Sequence, residues 1–157
     1  MNKAAKLYWE NFWQCQTPPS TVVAETFGDS PQLADEIATL IVSGKKTATC
    51  SSHALYQLEG HPLPIIGFYT IVLDGDDQPV AIIKTTNVQL IEMNKVPAEL
   101  AAKEGEGDLS LAYWYSGHKN YFTRALAEFG LEFSDDMFLV FEIFEVVDVR
   151  KASNATV

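Results

Sequence analysis

The stretch Ile65–Leu90, IIGFYTIVLDGDDQPVAIIKTTNVQL, decides the fold. Two runs rich in β-branched and aromatic residues, Ile65 to Leu73 and Val80 to Leu90, flank Asp74-Gly75-Asp76-Asp77, whose residue types favour tight turns. The pattern predicts two long strands paired antiparallel. Working outward, the period changes. Tyr8, Trp9, Phe12 and Trp13 recur at helical spacing and predict a first helix over residues 4–16, before Pro18-Pro19. Ser30-Pro31 reads as a cap followed by proline at the first helical position. Gln32 to Ser43 then places Leu33, Ile37, Leu40 and Ile41 on one face, and Gly44 stops the helix. β character returns from Thr47. Pro97 to Ala102 and Ser110 to Phe129 read as helical, with Gly105 and Gly107 interrupting, and Met137 to Val149 alternates as a final strand. Long hairpin strands with helices before and between them, and no regular β-α alternation, predict an α+β fold: a small mixed β-barrel or strongly bent sheet flanked by helices.

The 157 residues fit one domain, 1–157, with a core over about 24–147 and a tail over 151–157. No internal repeat, low-complexity stretch or linker divides them. The hydrophobic fraction of 47% and charged fraction of 20% suit a globular protein, and no apolar run reaches the roughly 18 residues that cross a bilayer. The aromatic, polar-interrupted start lacks the apolar centre of a signal peptide, so a cytoplasmic location and no membrane partner are expected. Cys15 and Cys50 lie in no metal-binding spacing, and His53, His61 and His118 are scattered, so neither a metal nor a cofactor is expected. A formal net charge of -10 argues against a chain whose main task is coating nucleic acid, although a local basic pocket is compatible with it.

Two segments stand out chemically. Gly44-Lys45-Lys46-Thr47-Ala48-Thr49-Cys50-Ser51-Ser52 concentrates ammonium and hydroxyl groups just past a helix end; its plain reading is a helix terminus running into a turn. If Thr47 and Thr49 enter a strand, they point to one face and Lys46 and Ala48 to the other. A single glycine after a helix is not a phosphate-binding GxxxxGK[ST] loop. Glu104-Gly105-Glu106-Gly107-Asp108 sets three carboxylates between glycines. Its plain reading is a solvated acidic loop opening the next helix, with Asp108 as cap, and it does not match a calcium-binding loop. Trp114 and His118 share a helix face four residues apart, where a packed core pair is the ordinary interpretation.

Together the segments carry more. GKKTAT followed by a hairpin, then EGEGDLSLAYWYSGHKNYF and the strand LVFEIFEVV, closely resembles the bacterial ASCH-domain proteins, from about Ala24 to Val147. The resemblance implies a PUA-like β-barrel and one of two activities. One is RNA binding or cleavage, with Lys45, Lys46, Lys84 and Lys119 on phosphates. The other is metal-independent amidohydrolysis of N(4)-acylcytidine-type nucleosides, a small-molecule substrate. For the second, motif position carries the catalytic roles onto Lys46 as general base, Thr49 as nucleophile and Glu106 as proton donor or anchor for the cytosine edge. Lys45, Thr47, Ser51, Glu104, Asp108, Trp114 and Tyr121 are then the expected substrate contacts.

Overall fold

The computed structural model describes residues 1–151. Of the tail expected over 151–157, residues 152–157 lie outside the described part. The chain forms α1 (Lys3–Trp13), β1 (Val22–Thr26), α2 (Pro31–Val42), β2 (Ala48–Ser52), α3 (His53–Glu59), β3 (Tyr69–Leu73) and β4 (Pro79–Glu92). A 3-10 turn, Met93–Lys95, precedes α4 (Ala98–Ala102), α5 (Leu111–Ala127) and β5 (Phe138–Val149). The hydrogen-bonded strand order is β1-β3-β4-β5-β2. Because β1 runs parallel to β3 while β3–β4 and β2–β5 are antiparallel, the sheet is mixed and the fold is α+β. No helix of the described residues is long and apolar enough to cross a membrane.

Two compact units can be described. The first comprises Met1–Gly44, Gly67–Lys84 and the chain from Glu145 onward. Here the expected hairpin forms, with Tyr69 opposite Lys84 and Val72 opposite Ala81. Its turn is held by Asp74, whose Oδ1 accepts from the backbone of Asp76 and of Gln78. The aromatic stripe of α1 covers the strands: Ala5 and Trp9 pack with Ile71, Leu73 and Ile82, and Phe12, Trp13 and Tyr69 surround Trp9.

The second unit comprises Lys45–Ile66 and Thr85–Phe144. Its core joins Ala48 of β2, Leu139 and Phe141 of β5, Leu100 and Ala101 of α4, and Trp114, Phe122 and Leu126 of α5. The last three recur at positions i, i+8 and i+12, one stripe of a helix. Ser110 caps α5, its hydroxyl accepting from the Tyr113 N–H, which corrects the expectation of Asp108 as cap; Asp108 instead accepts from the Ser110 N–H. Replacing a hydroxyl cap with alanine costs about 1 kcal/mol. Ser110→Ala is therefore expected to lower the urea midpoint without changing the slope of the transition, and an unmoved midpoint would show the cap to be idle.

Other boundaries also differ from expectation. The first arm of the hairpin starts at Tyr69, not Ile65, because Pro62 and Pro64 have no N–H to donate and Gly67 takes a φ of 90°. α1 ends at Trp13, where Gln14 turns left-handed with φ 51°. The short β1 and α3 carry no periodic apolar signal; α3 buries none of its residues.

Candidate active site

The site grows from the second unit, where the two chemically rich segments lie against each other. The stretch before β2 is tied down by backbone: the N–H groups of Thr47 and Ala48 both donate to Lys103 O, at 2.7 and 3.0 Å, and Phe144 N–H donates to Thr47 O. Across this contact Lys46 extends its Nζ to Glu104, 3.0 Å from Oε2 and 3.3 Å from the backbone oxygen. Both side chains are buried, at 2% and 3% exposure. The turn after α4 can present Glu104 here because Gly105 adopts φ +72° and its missing side chain leaves room for the Lys45 carbonyl.

Three more groups complete the cluster. Trp114 donates its indole N–H to Glu104 Oε1 at 3.0 Å, and His118, one helical turn on, sets Nε2 3.4 Å from the same oxygen. The two rings stack with centroids 4.6 Å apart, and Phe122 follows at 5.9 Å from the His118 ring. Cys50 brings its thiol within 4.8 Å of the Glu104 and His118 donor atoms. The expected core pair of Trp114 and His118 is thus both packed and polar.

Electrostatics follow from this packing. Burial pushes the Glu104 carboxyl up, but the Lys46 ammonium and then His118 outweigh it, holding the group well below the ordinary carboxylate range. His118 is raised: burial acts against its charge, and the Glu104 carboxylate more than offsets that. The Cys50 thiol is pushed well up by burial and by the Glu104 charge, so it stays protonated. Cys50, Glu104 and His118 are the metal-type donors closest together among the described residues. Both carboxylate oxygens are already engaged, Oε2 accepting from the Lys46 ammonium and Oε1 from the Trp114 indole, with His118 Nε2 beside it.

The expected residues divide. Lys46, Glu104 and Trp114 meet directly. Glu106 is half-buried and close enough for its charge to raise both Cys50 and His118, but Lys46 pairs with Glu104, not Glu106, because Gly105 turns the chain between the two carboxylates. Thr47 is a backbone anchor, its hydroxyl reaching Lys103 O at 3.4 Å. Thr49 pairs across the sheet with Glu142 and Ser51 with Val140, while Ala48 faces Ile143 and Cys50 faces Phe141. Alternation therefore turns Thr49 and Ser51 away from the side of β2 that carries Ala48 and Cys50. Among the described residues no hydrogen bond joins Lys46 to Thr49. Lys45, Asp108 and Tyr121 are exposed. Sequence reasoning gave no site role to Cys50, His118 or Glu142, whose carboxylate accepts from Thr85. For His118 the signal was present, since i,i+4 spacing from Trp114 puts both on one helix face.

Comparison with known proteins gives the family. The family model of the ASCH domain matches residues 23–148. The crystal structure of an ASCH domain from Lactobacillus crispatus JV V101 superposes with a TM-score of 0.89 at 36% identity, covering 94% of this chain and 96% of that one. A protein of Enterococcus faecalis V583 superposes at 0.86 with 43% identity, covering 95% and 91%. No curated protein matches the chain. With most of its length inside the family match and two solved structures following nearly all of its backbone, the chain belongs to the ASCH domain family, whose members have a PUA-like fold.

Proposed function

We propose that the chain is a metal-independent amidohydrolase that removes the acyl group from N(4)-acylcytidine-type nucleosides. The observation that carries this reading is the buried Lys46–Glu104 pair, closed by Trp114 and His118. A buried ion pair is a poor way to stabilise a fold, because desolvation of two charges cancels most of their attraction. Charged groups held buried beside a titrating histidine, in contact with a loop that allows close approach, are the ordinary makings of acid–base chemistry. Amide hydrolysis needs a polarised carbonyl, a nucleophile and a proton for the leaving nitrogen. Lys46 supplies positive charge for the first, Glu104 holds it in place, and His118 and Glu106 are the groups proposed for the third. Thr49 is the acyl acceptor that motif position implies, from the side of β2 opposite Cys50, and Glu106 is a half-buried carboxylate whose charge reaches His118.

The test is the absorbance of N(4)-acetylcytidine incubated with purified protein, with and without EDTA, beside Lys46→Met and Thr49→Ala. Conversion to cytidine by the wild type, unchanged by EDTA, is expected. Both variants are expected to lose about 100-fold or more in kcat, the scale of a lost acid–base or nucleophilic group. Persistent activity in Thr49→Ala would replace the acyl-enzyme by direct attack of water. No conversion by the wild type would overturn the reading.

A further inference from the structure

We propose that His118 is held as an imidazolium at neutral pH and delivers the proton to the leaving nitrogen, a role that rests on the amidohydrolase reading above. The argument is one of donors and acceptors. His118 Nδ1 lies 2.7 Å from the carbonyl oxygen of Trp114, and Nε2 lies 3.4 Å from Glu104 Oε1. A carbonyl oxygen can only accept a hydrogen bond, and so can an ionised carboxylate. A neutral imidazole has one N–H and one lone pair, so either tautomer would aim a lone pair at an oxygen. The doubly protonated ring satisfies both contacts.

The surroundings favour that state. The ring lies over the Trp114 indole, interplanar angle 24°, where the π-face attracts a cation. Glu104, from the turn after α4, and Glu106, from the loop that follows it, both favour the charge. Lys46, ahead of β2, is bound to Glu104 and opposes it, and the Cys50 thiol on β2 is neutral. From its own helix His118 meets Trp114 and Phe122, which carry no charge.

His118 is also more exposed than the ion pair it adjoins. Its side chain is 16% exposed, against 2% and 3% for Lys46 and Glu104. Glu104 Oε1 takes its shorter bond, 3.0 Å, from the Trp114 indole, so the Nε2 proton at 3.4 Å is the more loosely held. In the reaction the C–N bond of the amide breaks as this proton passes to the exocyclic nitrogen, leaving neutral imidazole and a free amino group. The proton released by the attacking hydroxyl restores the imidazolium, and the water that frees the acid gives its OH to the acyl carbon and its remaining proton back to the hydroxyl oxygen. The sum is water and amide in, carboxylic acid and amine out.

Two measurements on the full chain test this. In the nitrogen NMR spectrum of the histidine-labelled protein at pH 7, both His118 ring nitrogens are expected to be protonated; a single neutral tautomer overturns the proposal. In the N(4)-acetylcytidine assay, wild-type kcat is expected to fall as pH rises and His118 loses its proton. His118→Gln, which keeps a donor for the Trp114 carbonyl, is expected to lose about 100-fold in kcat and to lack that alkaline fall. A lower kcat with the wild-type pH profile, or a change in KM alone, would make His118 structural and overturn the proposal. If the wild type turns over nothing while the spectrum shows an imidazolium, it is the amidohydrolase reading that has failed, and the donor role with it.

Discussion

Glu104→Gln is expected to destabilise the protein by about 3–5 kcal/mol, because it leaves the Lys46 ammonium buried without a counter-charge. The amide still accepts a hydrogen bond, so the loss isolates charge from shape. Urea unfolding of the single variant and of Lys46→Met combined with Glu104→Leu would measure it. The double variant, which removes both charges and fills the space with apolar atoms, is expected to be more stable than Glu104→Gln. A single variant within about 1 kcal/mol of the wild type would mean that water reaches the pair and that it is not buried in solution.

The same pair sets the dependence of stability on pH. The folded-state Glu104 pKa lies below its ordinary 4.5, so its contribution is fully present above that pH and is lost as pH falls toward the folded value. The His118 pKa lies above its ordinary 6.5, so its contribution is present below pH 6.5 and is lost as pH rises through the folded value. Stability should therefore be highest between these limits, with both flanks shallower in Glu104→Gln.

Gly105→Ala is the second large effect. A Cβ built at Gly105 would stand 2.4 Å from Lys45 O, 2.7 Å from Lys45 C and 2.8 Å from Lys46 N. All three are backbone atoms of the segment that presents Lys46, so no side chain can swing aside. The left-handed φ of +72° alone costs an L-residue about 1–2 kcal/mol, and the overlap adds to it. A fall in Tm of at least about 5 °C is expected, with loss of the close approach between the two segments. Gly117→Ala is the control. It lies within α5 with nothing within 4 Å, so alanine should raise stability by up to about 1 kcal/mol. If both variants melt alike, the contact between the loop and the Lys46 segment is not tight.

Much of the fold was legible because its signals are local. Apolar spacing marked α1, α2 and α5, the turn residues from Asp74 marked the hairpin, and Ser30-Pro31 marked a helix start; the Ser30 hydroxyl does accept from the Leu33 N–H. The missing elements, β1 and α3, are short. A parallel strand such as β1 earns its place from a neighbour distant in sequence, Tyr69–Leu73, and nothing local announces that pairing.

The candidate site divides along the same line. The chemical character of Gly44–Ser52 and Glu104–Asp108, and the shared face of Trp114 and His118, follow from residue type and helical period, which the sequence by itself determines. Which carboxylate meets Lys46 does not. Glu104 and Glu106 are two residues apart in the same loop, and the choice depends on one left-handed glycine packed against the Lys45 backbone, 60 positions away in the chain. Likewise the alternation of β2 was readable, but only its pairing with β5 decided that Cys50 shares a side with Phe141 and that Thr49 stands opposite Glu142. Burial completes the division. Desolvation, which shifts the protonation of Glu104, His118 and Cys50, is a property of the packed neighbours around a group, and the sequence states who those neighbours are only after the chain has folded.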